Sequence, residues 1–327
     1  MPEVWLPMVK PTVISTFAGC GGSSLGYQMA GFKELLAVEW DDNAVQTFKL
    51  NFPDVPVYHG DIGKLTGEKC MELAGIKRGE LDVLDGSPPC QGFSTAGKRK
   101  FDDPRNSLFK EYARLIQELQ PKVFVMENVT GMIKGVMKQA YLQIIKTLRE
   151  CGYKAKGQVL NAMYYNVPQS RERVIIIGVR EDLGIEPSHP KPQTKPISVK
   201  SKINHLEKNG GPKLTDVSKK YWPMLKYGES ASKYHPKSHL FGMVKLNPGK
   251  PSPTLLKSCG NPICHYSMPR FLSATELKII ASFPESFKIK GSIGNIRDRI
   301  GNSVPPNMMK AIAENIKTNI LECSISK

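Results

Sequence analysis

Cys90 sits in Ser87-Pro88-Pro89-Cys90-Gln91-Gly92-Phe93-Ser94, directly after the apolar run Leu81–Leu84. A Pro-Pro pair suits neither a strand nor a helix interior, so it turns the chain and presents the thiol that follows. Further on, Val123-Phe124-Val125-Met126 ends in Glu127-Asn128-Val129. Glu127 is thus expected at the end of the next strand, on the same edge of a sheet. A thiolate and a carboxyl acid together can activate a flat, unreactive heterocycle. One adds to the ring and the other takes up the charge that addition creates. A lone cysteine is more often a small buried hydrophobe. A strand-end glutamate, or an Arg-x-Arg on a strand, is more often surface charge. The order and spacing, with Gln169-Ser170-Arg171-Glu172-Arg173 downstream, favour chemistry over coincidence. Arg171 and Arg173 are expected to point to opposite faces of their strand.

A second constellation lies upstream. Phe17-Ala18-Gly19-Cys20-Gly21-Gly22 follows a strand candidate and opens a helix. Glycines there let the backbone approach a ligand. The spacing is G-x-G-G and not the G-x-G-x-x-G of dinucleotide sites. Glu39-Trp40 ends the second strand candidate, where an acid can accept both ribose hydroxyls and an indole can stack on a purine. Asp61-Ile62 follows the third, where a carboxylate can accept from an adenine amino group. Trp40 alone reads as a core aromatic. Glu39, Trp40 and Asp61 at successive strand ends read as an adenosine site.

The elements that must position these residues alternate along the chain. Strand candidates are Thr12–Phe17, Glu34–Val38, Val55–His59, Leu81–Leu84, Val123–Met126, Gly157–Asn161 and Arg173–Val179. Helical segments lie at Ser24–Ala30, Ala44–Asn51, Leu108–Glu118 and Ala140–Glu150. Such alternation predicts an α/β fold with a doubly wound, mostly parallel sheet. From Leu183 to about Tyr266 the chain is rich in Pro, Lys, Ser and Gly. It still carries Tyr221, Trp222, Leu225, Tyr227, Phe241, Leu255 and Leu256, too many anchors for a plain linker. A small irregular domain of loops and short strands is expected over 189–287, with 1–188 plus 288–327 forming the larger one. Helical pattern returns at Ser273–Phe283 behind a Ser273/Glu276 capping box. A last helix follows Pro305-Pro306, from about Asn307 to Leu321.

The 327 residues are 40 % hydrophobic, carry a net charge of +16 and have a pI near 9.4. That much basic charge favours a polyanionic partner. No secretory leader is expected at Met1–Lys10, and no apolar run reaches the length of a membrane span. The 7 cysteines are scattered and form no CxxC. Cys259, Cys264 and His265 lack a fourth ligand at usual spacing, so no metal is expected. A reduced intracellular protein fits best.

From about residue 12 to residue 315, these motifs resemble those of the cytosine-C5 DNA methyltransferases. Gly301-Asn302-Ser303-Val304 matches the family's terminal motif, and Arg270-Phe271-Leu272-Ser273, Glu276 and Phe283-Pro284 match a later one that packs the small domain. The resemblance implies a class I S-adenosylmethionine-dependent methyltransferase fold with a target-recognition domain. It implies that Cys90 attacks C6 of a flipped cytosine, Glu127 acts at N3, Arg173 reaches the base and Arg171 lies near the thiol. The implied cofactor residues are Phe17, Ala18, Gly19, Cys20, Gly22, Glu39, Trp40, Asp61, Ile62, Pro89, Leu108, Asn302 and Ser303. Ser94, Lys98, Arg99, Arg105 and Gln169 are the implied DNA contacts, with the loop Ser94–Asn106 closing behind Cys90. Thirteen lysines from Lys195 to Lys257 suit phosphate contacts. A relative that methylates transfer RNA carries Thr where this chain has Ser94, so the chain looks more like the DNA enzymes. A catalytically inactive DNA-binding regulator is the other alternative, and Cys90, Glu127, Arg171 and Arg173 together argue against it. The resemblance further implies a monomer acting on double-stranded DNA in the bacterial cytoplasm, at the nucleoid. It would be the modification enzyme of a restriction–modification system, with a cognate endonuclease for the same site.

Overall fold

The computed structural model describes residues 10–89, 107–206, 210–257 and 262–325. Among them, one sheet holds seven strands in the order β3-β2-β1-β4-β5-β7-β6. The strands are β1 (Thr12–Thr16), β2 (Lys33–Glu39), β3 (Val57–His59), β4 (Val83–Gly86), β5 (Val123–Val129), β6 (Tyr153–Asn161) and β7 (Glu172–Arg180). The first five are mutually parallel, while β7 runs antiparallel to both β5 and β6. The chain winds outward from β1 to β3, then returns to lay β4 on the other side of β1. The carboxyl ends of β1 and β4 therefore flank the point where strand order reverses, the place where open α/β sheets bind ligands. Thr16 is paired with Gly86 there, which sets the loop after β1 beside Ser87-Pro88-Pro89.

The helices are α1 (Gly22–Met29), α2 (Asp42–Asn51), α3 (Gly67–Ala74), α4 (Ser107–Leu119), α5 (Lys138–Glu150), α6 (Val199–Ile203), α7 (Asp216–Tyr221), α8 (Ala274–Ile280), α9 (Ile293–Asn302) and α10 (Pro306–Ile316). On one face of the sheet, α4 buries Phe109, Tyr112, Ile116 and Leu119 beside Ile144 and Leu148 of α5. That spacing is the apolar stripe of a surface helix. On the other face, Tyr27 of α1 and Met308, Met309, Ile312 and Ile316 of α10 pack on Val83, Val125 and Ile177. The predicted strands are all present with shifted ends. β5 continues through Glu127 to Val129 because those residues still pair with β7. Helices α3, α6, α7 and α9 lie outside the helical segments expected from the sequence, and α9 opens on a capping box between Ser292 and Asn295.

Leu214, Tyr221, Leu225, Ala231, Met243, Cys264 and Phe271 form a separate small core, with Trp222 half-buried against it. It is held by isolated bridges such as Ser230–Val244 and Cys264–Phe271 and not by full strands. Of the expected anchors, Tyr227, Phe241 and Leu256 are exposed. The flanks of this segment pack elsewhere: Val199, Ile203, Leu255, Leu272 and Leu277 join Ala18, Phe48 and Phe52 below the loop after β1. Arg270 clamps Glu276 with two bonds of 2.7 Å, and both side chains are buried. The Ser273–Glu276 capping box is formed as expected. Among the described residues no helix is long and apolar enough to cross a membrane.

Candidate active site

Glu127 lies near the end of the buried part of β5, which runs through Asn128, and Arg173 enters β7 on the neighbouring antiparallel strand. Their side chains meet diagonally, with Arg173 Nε 2.7 Å from Glu127 Oε1 and exposures of 12 % and 9 %. Asn128 donates from Nδ2 to the Pro88 carbonyl at 3.0 Å, so the same strand end steadies the Pro-Pro turn. Cys90, like Ser94, Lys98, Arg99 and Arg105 in the loop Ser94–Asn106, lies outside the described residues. So does Cys259. The buried thiols among the described residues are poor nucleophiles, since burial pushes Cys20 up to about 11, Cys70 and Cys264 up to about 12, and raises Cys151 as well. Cys264 and His265 are both buried, and backbone N–H groups of Ser267 and Met268 donate to His265 Nδ1. No cluster of metal-ligating side chains occurs among the described residues.

Arg171 and Arg173 do not divide between faces. Residues two apart on a strand share a face, and Arg171 feels the charges of both Arg173 and Glu127. Arg171 is buried and donates to the Leu255 carbonyl at 3.1 Å and the Gly301 carbonyl at 2.8 Å. Burial, then the Arg173 charge, pulls it down to about 9, which leaves it cationic at neutral pH. Gln169, expected at the DNA, lies inside the protein. It is buried, its Oε1 accepts from Leu255 N at 3.0 Å, and it bridges Ser252, so its amide is spent inside the protein and not offered to DNA.

The expected cofactor residues fall along one edge. Phe17, Glu39 and Asp61 sit at or just beyond the carboxyl ends of β1, β2 and β3, and Pro89 lies just beyond that of β4. Phe17 has φ of 54°, an unusual value for a non-glycine, which bends the loop sharply. Gly21 has φ of 94°, and a Cβ there would stand 2.4 Å from the Phe52 ring. Glu39 Oε2 accepts from Gly19 N at 2.7 Å, and its Oε1 accepts from Trp40 N and Asp41 N at 2.9 Å each. Glu39 thus ties the loop after β1 to its own strand end. Trp40 is 75 % exposed, so it is no core aromatic. Asp61 uses one oxygen to cap the turn at Gly63. Cys20 is buried against the Ser303 hydroxyl at 3.2 Å, so its side chain packs while its backbone borders the edge. Ile62 is buried, Leu108 packs on the α4-side core and Asn302 closes α9. A Cβ on Gly301 would stand 2.5 Å from Lys257 N, which brings residues 301–303 against the end of the small-core segment.

Across residues 11–318 the chain matches the model of the C-5 cytosine-specific DNA methylases. The chain belongs to that family. It is 35 % identical to the type II methyltransferase M1.HphI of Haemophilus parahaemolyticus, over 93 % of this chain and 86 % of that protein. It is 36 % identical to M.PspPI of Psychrobacter sp. strain TA137, over 95 % of this chain and 80 % of that one. In fold it resembles a DNA modification methyltransferase encoded within an Escherichia coli prophage, with a TM-score of 0.78 at 24 % identity, covering 95 % of this chain and 99 % of the other.

Sequence reasoning passed over two features of this methylase. Asp85 on β4 and Glu34 on β2 are enclosed on the α1 face of the sheet, where Tyr27 donates to Asp85 at 3.4 Å. Burial pushes Glu34 up to about 7, and burial with the Glu34 charge raises Asp85 well above the carboxylate range. A bulge in β2 turns Glu34 inward, off that strand's simple alternation, while Asp85 shares its face of β4 with Val83. The other feature is Arg299, taken up below.

Proposed function

We propose that the protein is a site-specific DNA cytosine-5 methyltransferase that uses S-adenosylmethionine and modifies DNA within a restriction–modification system. The observation that carries this reading is the Glu127–Arg173 pair set beside the Asn128-braced turn that leads into Cys90. The Cys90 thiolate adds to C6 of a cytosine drawn out of the duplex. The ring electrons move toward N3 and O2. Glu127 meets N3 and Arg173 faces O2, which stabilises the charge where it develops. The enolate-like ring is then nucleophilic at C5. C5 takes up the electrophilic methyl group that S-adenosylmethionine would supply from its sulfonium, the sulfur leaving as the neutral thioether of S-adenosylhomocysteine. Loss of the C5 proton to a base restores the double bond and expels the Cys90 thiolate.

The residues present suit that cofactor. The exposed Trp40 indole offers a stacking face, and Glu39 and Asp61 each keep acceptor capacity beyond their backbone bonds. Residues 189–287 are the target-recognition part, attached to a catalytic part formed by 1–188 and 288–327. Lys195, Lys200, Lys213, Lys220, Lys226 and Lys257 are exposed there and suit phosphate contacts. The enzyme acts as a monomer in the bacterial cytoplasm, at the nucleoid, and a nuclease cutting the same site is its partner. The test is to methylate a random-sequence duplex and map 5-methylcytosine by bisulfite sequencing, with transfer RNA as a parallel substrate. One short consensus around the modified cytosine is expected. Label entering only the RNA would overturn the reading.

A further inference from the structure

Arg299 lies on α9, four residues before Ser303, and is 9 % exposed. Its guanidinium grips Asp41 at two points, Nη1 to Oδ1 at 2.8 Å and Nη2 to Oδ2 at 3.2 Å. Asp41 directly follows Trp40 and caps α2 by accepting from Ala44 N at 2.8 Å. The Arg299 carbonyl also accepts from the Ser303 hydroxyl at 2.7 Å, and the Cys20 thiol points to it at 3.8 Å. One residue therefore joins three stretches of the cofactor edge: the loop after β1, the end of β2 and the turn after α9. Planar two-point pairing fixes direction as well as distance.

We propose that Arg299 is a positioning residue for S-adenosylmethionine, and that its pair with Asp41 sets the Trp40 segment for the purine. The proposal rests on the cofactor reading given above. Trp40 is 75 % exposed, so side-chain packing does little to hold its ring. Its backbone is fixed by Glu39 on one side and Asp41 on the other. A stacking surface held in place before binding costs less to order on binding. A purely structural staple is the weaker explanation. An ion pair whose carboxylate is 38 % exposed adds little net stability. The same helix is already fastened to residues 288–290, where Asn51 donates to the Lys288 carbonyl at 2.7 Å, Asn43 to the Lys290 carbonyl at 2.9 Å, and Lys290 N to Thr47 at 3.1 Å.

Calorimetric titration of S-adenosylmethionine into wild type, Asp41→Asn, Arg299→Gln and the double variant tests this. Asparagine caps a helix as well as aspartate does, so Asp41→Asn keeps α2 and removes only the charge. Each single variant is expected to bind about tenfold more weakly, equivalent to about 1.4 kcal/mol. The double variant should be no worse than the weaker single, because both weaken the same pair. Lys310→Gln, which breaks an exposed pair with Glu314, is the control and should bind as wild type. Melting temperature without cofactor and duplex binding should stay near wild type in Asp41→Asn, which a staple role would not allow. If Arg299→Gln fails to fold, Asp41→Asn still decides. Folded variants that bind as tightly as wild type would overturn the positioning role alone. A wild type that binds no S-adenosylmethionine would remove the cofactor reading and the proposal with it.

Discussion

Replacing Glu127 with glutamine removes one charge and keeps the shape. Glu127 Oε1 lies 2.7 Å from Arg173 Nε, in a pair whose members are 9 % and 12 % exposed. The glutamine oxygen still accepts from that N–H, so Arg173 is not stranded. The cost to folding should therefore fall below the about 3–5 kcal/mol of breaking a buried pair outright. Glutamine cannot share or release a proton at N3. The methyl-transfer step should slow by about 10²–10⁴-fold, the scale of general acid catalysis. That equals about 2.7–5.5 kcal/mol of barrier at 1.36 kcal/mol per decade. Single-turnover transfer of labelled methyl to duplex DNA reads the step directly. Calorimetry with S-adenosylmethionine should give an unchanged Kd, since Glu127 lies off the cofactor edge. Arg173→Ala makes the complementary cut and should lose both rate and melting temperature, because it leaves the carboxylate enclosed without its cation. Unchanged turnover in a folded Glu127→Gln would remove Glu127 from the chemistry. A rate loss matched by a collapse in melting temperature would make it a structural residue.

Duplex DNA carrying 5-fluorocytosine at the target should form a denaturation-resistant adduct that Cys90→Ser abolishes, because fluorine cannot leave C5 as a proton does. A stable adduct in the variant would assign another nucleophile. Trp40→Ala should weaken S-adenosylmethionine binding by about 1–3 kcal/mol, by analogy with base–aromatic stacking. Calorimetry is the assay, since Trp5 and Trp222 blur fluorescence, and equal affinity would contradict the assignment. Burial raises Glu34 from 4.5 to about 7, so the folded state keeps a proton that the unfolded chain releases, and stability should fall by on the order of 3 kcal/mol as pH rises from 4.5 through 7. Urea unfolding of Glu34→Gln should show a flatter pH slope than wild type, and parallel slopes would mean that Glu34 titrates normally.

The parts of the site that could be read from sequence are those set by local rules. A Pro-Pro turn, a strand that ends in an acid and a glycine loop each announce their geometry within a few residues. The strand-end positions of Glu127 and Trp40 and the Ser273–Glu276 cap were legible for that reason. What local pattern cannot carry is pairing across the chain. Asp41 and Arg299 are 258 residues apart, and nothing near either names the other. Asn128 looked like part of a motif, and only its bond to the Pro88 carbonyl explains the side chain. Gln169, named as a DNA contact through the resemblance alone, has its side-chain oxygen turned to Leu255 N, a pairing that nothing local announces. Phe241 and Leu256 misled because apolar residues in an irregular segment carry no period that tells core from surface.

Arg171 shows how these distant pieces become one site. Its guanidinium reaches the Leu255 carbonyl at the end of the small-core segment and the Gly301 carbonyl at the turn after α9. It is two residues from Arg173, which holds Glu127. The side chain is buried, and among the described residues two carbonyls and the Glu127 charge offset the loss of water around it. Shifting either carbonyl would leave a buried cation short of acceptors, a costly state. The segment around Leu255 therefore cannot drift from the turn at Gly301 without cost, and the close approach of Gly301 to Lys257 enforces the same spacing sterically. Residues 255–257 and residues 299–303 behave as one support. That support carries Arg299, and through Asp41 the Trp40 face, while Arg171 ties it to the strand that bears Arg173. The Glu127–Arg173 pair and the strand-end edge that bears Trp40 are thus held in register through these contacts.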